Sequence, residues 1–112
     1  MKHILAPILL LVFLFPTLAL SEEVALDDLV ERKGLYYKKF TDVPFTGRVK
    51  GEKRGTLKNG RPVGRWLQYH SNGQLFSKLF YKDGKKHGLM VLYTEQGEFL
   101  TGAIYKDGKD IG

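Results

Sequence analysis

Tyr81-Lys82-Asp83-Gly84-Lys85-Lys86-His87-Gly88 is the stretch whose reading decides the fold. Asp83-Gly84 accepts the left-handed backbone that a two-residue hairpin turn demands, so the residues on either side read as strands folded back on each other. The same pattern recurs every 24 positions, with Asn59-Gly60 upstream and Asp107-Gly108 downstream, and Gly64, Gly88 and Gly112 in step. Tyr69 returns as Tyr93, Gly73 as Gly97 and Tyr81 as Tyr105. A fixed period of this length means one supersecondary unit used several times, and it favours an extended binding or structural surface over a single catalytic pocket.

Each complete repeat holds two strands. Arg65 to His70 precedes Ser71-Asn72-Gly73, and Gln74 to Tyr81 precedes Lys82-Asp83-Gly84-Lys85. Both joints are expected to be tight type I′ hairpins; in the second copy Gln96 replaces Asn72, so that turn depends on Gly97 alone. Alternation puts Leu75, Ser77, Leu79 and Tyr81 on one face, echoed by Phe99, Thr101, Ala103 and Tyr105. Phe76 and Phe80, echoed by Leu100 and Ile104, fall on the other. With apolar residues on both faces, the sheet must curl, take the N-terminal segment as a cover, or offer one face to a partner.

Upstream of the repeats, Leu29-Val30-Glu31 and Leu35 to Lys38 read as a hairpin about Arg32-Lys33-Gly34, although Val24 to Glu31 also fits a short helix. Thr41-Asp42-Val43-Pro44 is a turn and Phe45 to Lys50 a strand, with Gly51 to Arg54 as a charged connection. The expected organisation is residues 1–21 as a signal segment, 22–54 as an N-terminal hairpin and strand, and 55–112 as repeats. The fold class is all-β: an antiparallel meander of hairpins forming an elongated twisted sheet, preceded by an N-terminal signal helix.

Lys2, the apolar run Ile4 to Phe15 and the small residues Ala19 and Ser21 form an export signal, with cleavage expected after Ser21 or Ala19. The alternative is an uncleaved membrane anchor, since Ile4 to Leu20 spans 17 residues. Export places the mature chain in the periplasm or outside the cell. The chain has no cysteine, which excludes disulfides, thiolate metal sites and acylation on Cys.

Without Lys2, 17 Lys and Arg face 12 Asp and Glu, leaving a net charge of +5. The cations crowd into Arg48, Lys50, Lys53, Arg54, Lys58, Arg61 and Arg65, where Glu52 is the only acid, while Glu22, Glu23, Asp27, Asp28 and Glu31 make an acidic start. In an exported protein that cluster points away from nucleic acid and toward anionic lipid, acidic glycan or an acidic protein face; the alternative, slightly favoured, is a solvated strand edge whose Lys and Arg block edge-to-edge aggregation. Trp66, Tyr69, Tyr81, Tyr93 and Tyr105 stand in rows that serve either cross-strand packing or partner docking.

His70 and His87 lie 17 positions apart with no ligand-spaced partner and are expected at the surface. Ser71 and Ser77 lack a nucleophile-elbow context, so no catalytic group, cofactor or metal is expected. The strand Phe99 to Tyr105 is expected to be open on one side, which would admit strand addition by a partner.

Tyr81 to Gly88, followed by Leu89 to Tyr93 and Gln96-Gly97, resembles a MORN repeat of the bacterial variant found in YwqK-type antitoxins of toxin–antitoxin systems. The resemblance covers about residues 55 to 112, and Gly34-Leu35-Tyr36-Tyr37 with Pro44-Phe45-Thr46-Gly47 resembles the segment that precedes such repeats in exported members. Eukaryotic MORN repeats carry a further glycine where Trp66 and Met90 stand here. The resemblance implies a stacked meander of hairpins, association with a protein or a membrane surface, and an antitoxin or immunity-like role.

Overall fold

The computed structural model describes residues 22–112, so the signal segment and its cleavage positions lie outside the described residues. Eleven strands are present among the described residues: β1 Glu23–Ala25, β2 Leu29–Arg32, β3 Leu35–Lys38, β4 Gly47–Lys50, β5 Lys53–Lys58, β6 Arg61–Tyr69, β7 Leu75–Lys82, β8 Lys85–Lys86, β9 Gly88–Tyr93, β10 Phe99–Lys106 and β11 Lys109–Asp110. A single 3-10 turn, Leu26–Asp28, is the only helical element among the described residues. One sheet runs β1-β4-β5-β6-β7-β9-β10-β11, with β8 paired to β7, and β2-β3 form a separate hairpin. The chain is therefore mostly β, as the turn spacing implies.

The sheet is mixed rather than wholly antiparallel. β1 runs parallel to β4, pairing Val24 with Val49, and this edge lies outside the repeats where no turn signal marks it. The charged connection expected over Gly51 to Arg54 is shorter, because β5 already begins at Lys53.

Four two-residue turns have both central residues left-handed: Lys33-Gly34, Asn59-Gly60, Asp83-Gly84 and Asp107-Gly108. Their flanking residues pair directly, as Lys58 with Arg61 and Lys82 with Lys85. The joints at Ser71-Asn72-Gly73 and Glu95-Gln96-Gly97 differ from the expected type I′ form. The Gly73 amide donates to the His70 carbonyl at 2.9 Å and the His70 amide to the Gln74 carbonyl at 2.8 Å, so only Gly73 needs a positive φ. Asn72 instead accepts from the Gln74 amide through Oδ1 and donates from Nδ2 to the Glu95 carbonyl of the neighbouring turn. Gln96 can replace it in the second copy because the backbone there makes no special demand.

Register shifts between Gln68 and Tyr69 and between Phe99 and Thr101 correct the assignment of faces. Ser77, Leu79 and Tyr81 share a face with Thr101, Ala103 and Tyr105 as alternation requires. The bulges bring Leu75 opposite Tyr69 and Phe99 opposite Tyr93, which moves both to the other face.

The core is Val24, Leu29, Phe45, Val49 and Leu57, with Leu26, Tyr36 and Trp66 packed against it. It lies between the inner face of β4 to β6 and the β2-β3 hairpin. Backbone bonds fix that cover: Tyr36 donates to the Gly60 carbonyl at 2.9 Å, Phe45 to the Tyr36 carbonyl at 2.9 Å, and Gly60 to the Phe45 carbonyl at 2.8 Å. Among the described residues the outer face of the sheet receives no such cover.

Candidate interaction surface

Strand pairing divides the aromatic residues between the two faces. Trp66, Tyr81 and Tyr105 lie on the inner face. Trp66 meets Tyr81 edge-on with ring centroids 6.3 Å apart, and its Nε1 donates to the Thr56 carbonyl at 3.2 Å. Gly55 makes this possible, since a Cβ there would overlap the indole ring. Burial raises the phenol pKa of Tyr81, reinforced by neighbouring Tyr36; that of Tyr36 is raised by burial and then by the Glu31 carboxylate. Both therefore remain neutral hydrogen-bonding groups at ordinary pH. Trp66 and Tyr81 thus pack on each other, while Tyr105 carries the Lys86 ammonium 5.1 Å from its ring centroid.

Tyr69 and Tyr93 lie on the outer face. The Arg54 guanidinium stands 4.4 Å over the Tyr69 ring, and Arg54 Nε donates to the Gly51 carbonyl at 2.8 Å. Arg54 pairs with Leu67 and Arg65 with Phe80, so both cations are outer-face residues. Arg48, Lys50, Arg54 and Arg65 line a single open recess. The seven-residue basic cluster is thereby split: Lys53 faces Leu26 and Trp66 on the inner side, and Lys58 and Arg61 flank the Asn59-Gly60 turn. The alternation of β5, which begins at Lys53, decides this: Lys53 pairs with Gln68 and Arg54 with Leu67, on opposite faces.

Beside the basic half of the outer face lies an apolar half. Phe80, Leu89 and Ile104 are 45%, 54% and 47% exposed, and Ile104 pairs directly with Leu89. Phe99 and Leu100 are more exposed still. Leu89 is the member that sequence alternation within the long strands does not supply, because it sits on the short partner strand β9; the cross-strand register was the signal that would have found it. A second apolar outcrop is the β3-β4 connection, where Phe40 is fully exposed at φ +66.

The β10 edge is less open than expected. Tyr105 and Lys106 pair with β11, and Ile104 bonds Ile111 and Gly112 through its carbonyl and amide. Among the described residues only the Phe99 to Ala103 part of that edge lacks a neighbouring strand.

The histidines are not simple surface residues. His70 is half-buried, with Nε2 2.9 Å from the Tyr93 carbonyl and its ring against Phe76. His87 Nδ1 is buried with no hydrogen-bond partner among the described residues. Among the described residues, no three His, Asp or Glu side chains cluster as a metal would need, and no helix is long and apolar enough to cross a membrane.

No protein-family model, curated protein or solved structure matches this chain.

Proposed function

We propose that this chain is an exported MORN-type repeat module, periplasmic or secreted, that binds a protein partner at a bacterial envelope without catalysis. The observation that carries the reading is the outer face, left uncovered by the described residues, where Phe80, Leu89 and Ile104 lie on the same face as Arg48, Arg54 and Arg65. Exposed apolar residues gathered on one face of a sheet make a contact surface, and adjacent cations speed and orient the encounter. Tyr69, held beneath Arg54, adds a rigid aromatic element of the kind enriched at interfaces. The Phe99 to Ala103 edge offers unpaired backbone groups for an added strand.

The second reading is a peripheral binder of anionic membrane surface, favoured by four cations on the same face as the apolar row. Co-sedimentation with phosphatidylglycerol and phosphatidylcholine vesicles separates the two. A protein-binding module stays in the supernatant with both lipids, whereas a membrane binder pellets with the anionic one. The resemblance to antitoxins adds an immunity-like role against an envelope-acting toxin, which predicts a toxin gene beside this one.

A further inference from the structure

We infer that the outer-face recess bounded by Arg48, Arg54 and Arg65 is a binding site for a phosphoryl group. The recess has a volume of about 400 Å³ and draws its cations from three successive strands, β4, β5 and β6. Lys50, Thr56 and Leu67 also line it. Four positive side chains face one carboxylate, that of Glu23, whose Oε1 is 3.8 Å from Arg48 Nη1. That distance is a charge contact rather than a hydrogen bond, and both side chains are exposed, so an incoming anion can displace Glu23.

Arg54 distinguishes this recess from a scatter of surface cations. Its Nε donates to the Gly51 carbonyl and its Cζ stands over the Tyr69 ring, contacts that favour one orientation of the guanidinium on the wall between this recess and the adjoining one lined by Gly51, Tyr69 and His70. The two terminal nitrogens are left to grip a pair of oxygens in the fork geometry that suits phosphate and carboxylate. Holding the fork in place beforehand lowers the ordering cost of binding. Cations on several sides favour a tetrahedral anion with three terminal oxygens over a planar, singly charged carboxylate. The site goes beyond protein docking and stands without it. A free phosphate and the headgroup of an anionic lipid present the same group, and the chemistry alone does not choose between them.

The test is a titration of the protein with inorganic phosphate and with pyrophosphate at constant ionic strength, followed by amide and arginine Nε chemical shifts. Saturable binding at one site is expected, with shifts concentrated at Arg48, Arg54 and Arg65. Arg54→Lys keeps the charge and removes the fork, and should weaken binding about tenfold. Glu23→Gln removes the competing carboxylate and should tighten binding about threefold, a gain that a folding defect could not imitate. Lys109→Gln, which removes a positive charge from β11, outside the recess, should leave binding unchanged.

Vesicles containing phosphatidylglycerol then identify the source. Binding that Arg54→Lys abolishes points to the headgroup, and phosphate binding without vesicle binding points to a free phosphoryl ligand. Shifts that never saturate, or an Arg54→Lys variant that behaves like Lys109→Gln, would overturn the site. Its loss would leave the protein-docking reading in place, because that rests on Phe80, Leu89 and Ile104.

Discussion

Gly55 and Trp66 show how a single missing side chain sets the inner face. β5 passes so close to the indole that a Cβ at residue 55 would overlap the ring, and the indole in turn donates to the Thr56 carbonyl and packs on Tyr81. Gly55→Ala should therefore destabilise the protein by about 1–3 kcal/mol, as overpacked cores do, measured by chemical denaturation. Tyr36 and Tyr81 make a separate, pH-dependent contribution. Their folded pKa values lie above the ordinary 10.0, so the folded state holds these protons more tightly than the unfolded chain. The stability they supply is whole below that ordinary value and is lost as pH rises through the raised folded values. Alkaline denaturation followed by circular dichroism should show that loss, and Tyr36→Phe with Tyr81→Phe should flatten it.

At the scale of elements, the turns obey two rules. Asn59 sits at φ +50 in a two-residue turn, whereas Asn72 works through its side chain in a longer turn whose left-handed position is Gly73. Asn59→Ala should cost about 1–2 kcal/mol, since Ala tolerates left-handed backbone poorly, while Asn72→Ala should cost about 0.5–1.5 kcal/mol through its lost hydrogen bonds. Thermal melts of the two variants check the order. The hairpins about Lys33-Gly34, Asn59-Gly60, Asp83-Gly84 and Asp107-Gly108 were legible in the sequence because local chemistry alone specifies such turns. The parallel β1-β4 pairing was not, because it joins residues 25 positions apart, as Val24 and Val49, with no local signal. The bulges that move Leu75 and Phe99 were equally hidden, since alternation assumes unbroken pairing. For the candidate surface, the sequence displayed the cations but not their division, which depends on where β5 begins.

Across the whole molecule, burial is lopsided. The β2-β3 hairpin closes a core over β4 to β6, while β7, β9 and β10 leave Phe80, Leu89, Phe99 and Ile104 exposed on the outer face. Phe45 is 4% exposed, so Phe45→Ala should cost about 3–5 kcal/mol, whereas Phe99→Ala, at 67% exposed, should stay within about 0.5 kcal/mol. Parallel denaturant titrations test that contrast. Exposed apolar side chains that contribute little to folding are free to serve association, and their placement beside Arg48, Arg54 and Arg65 gives the outer face both apolar contact and long-range attraction. The most direct measurement compares the wild-type protein with Phe80→Ser/Leu89→Ser/Ile104→Ser in affinity capture from an envelope extract, with circular dichroism confirming that both are folded. A protein retained by the wild type and lost by the folded triple variant is the predicted result; an identical retained set for both would contradict the outer face as the docking surface.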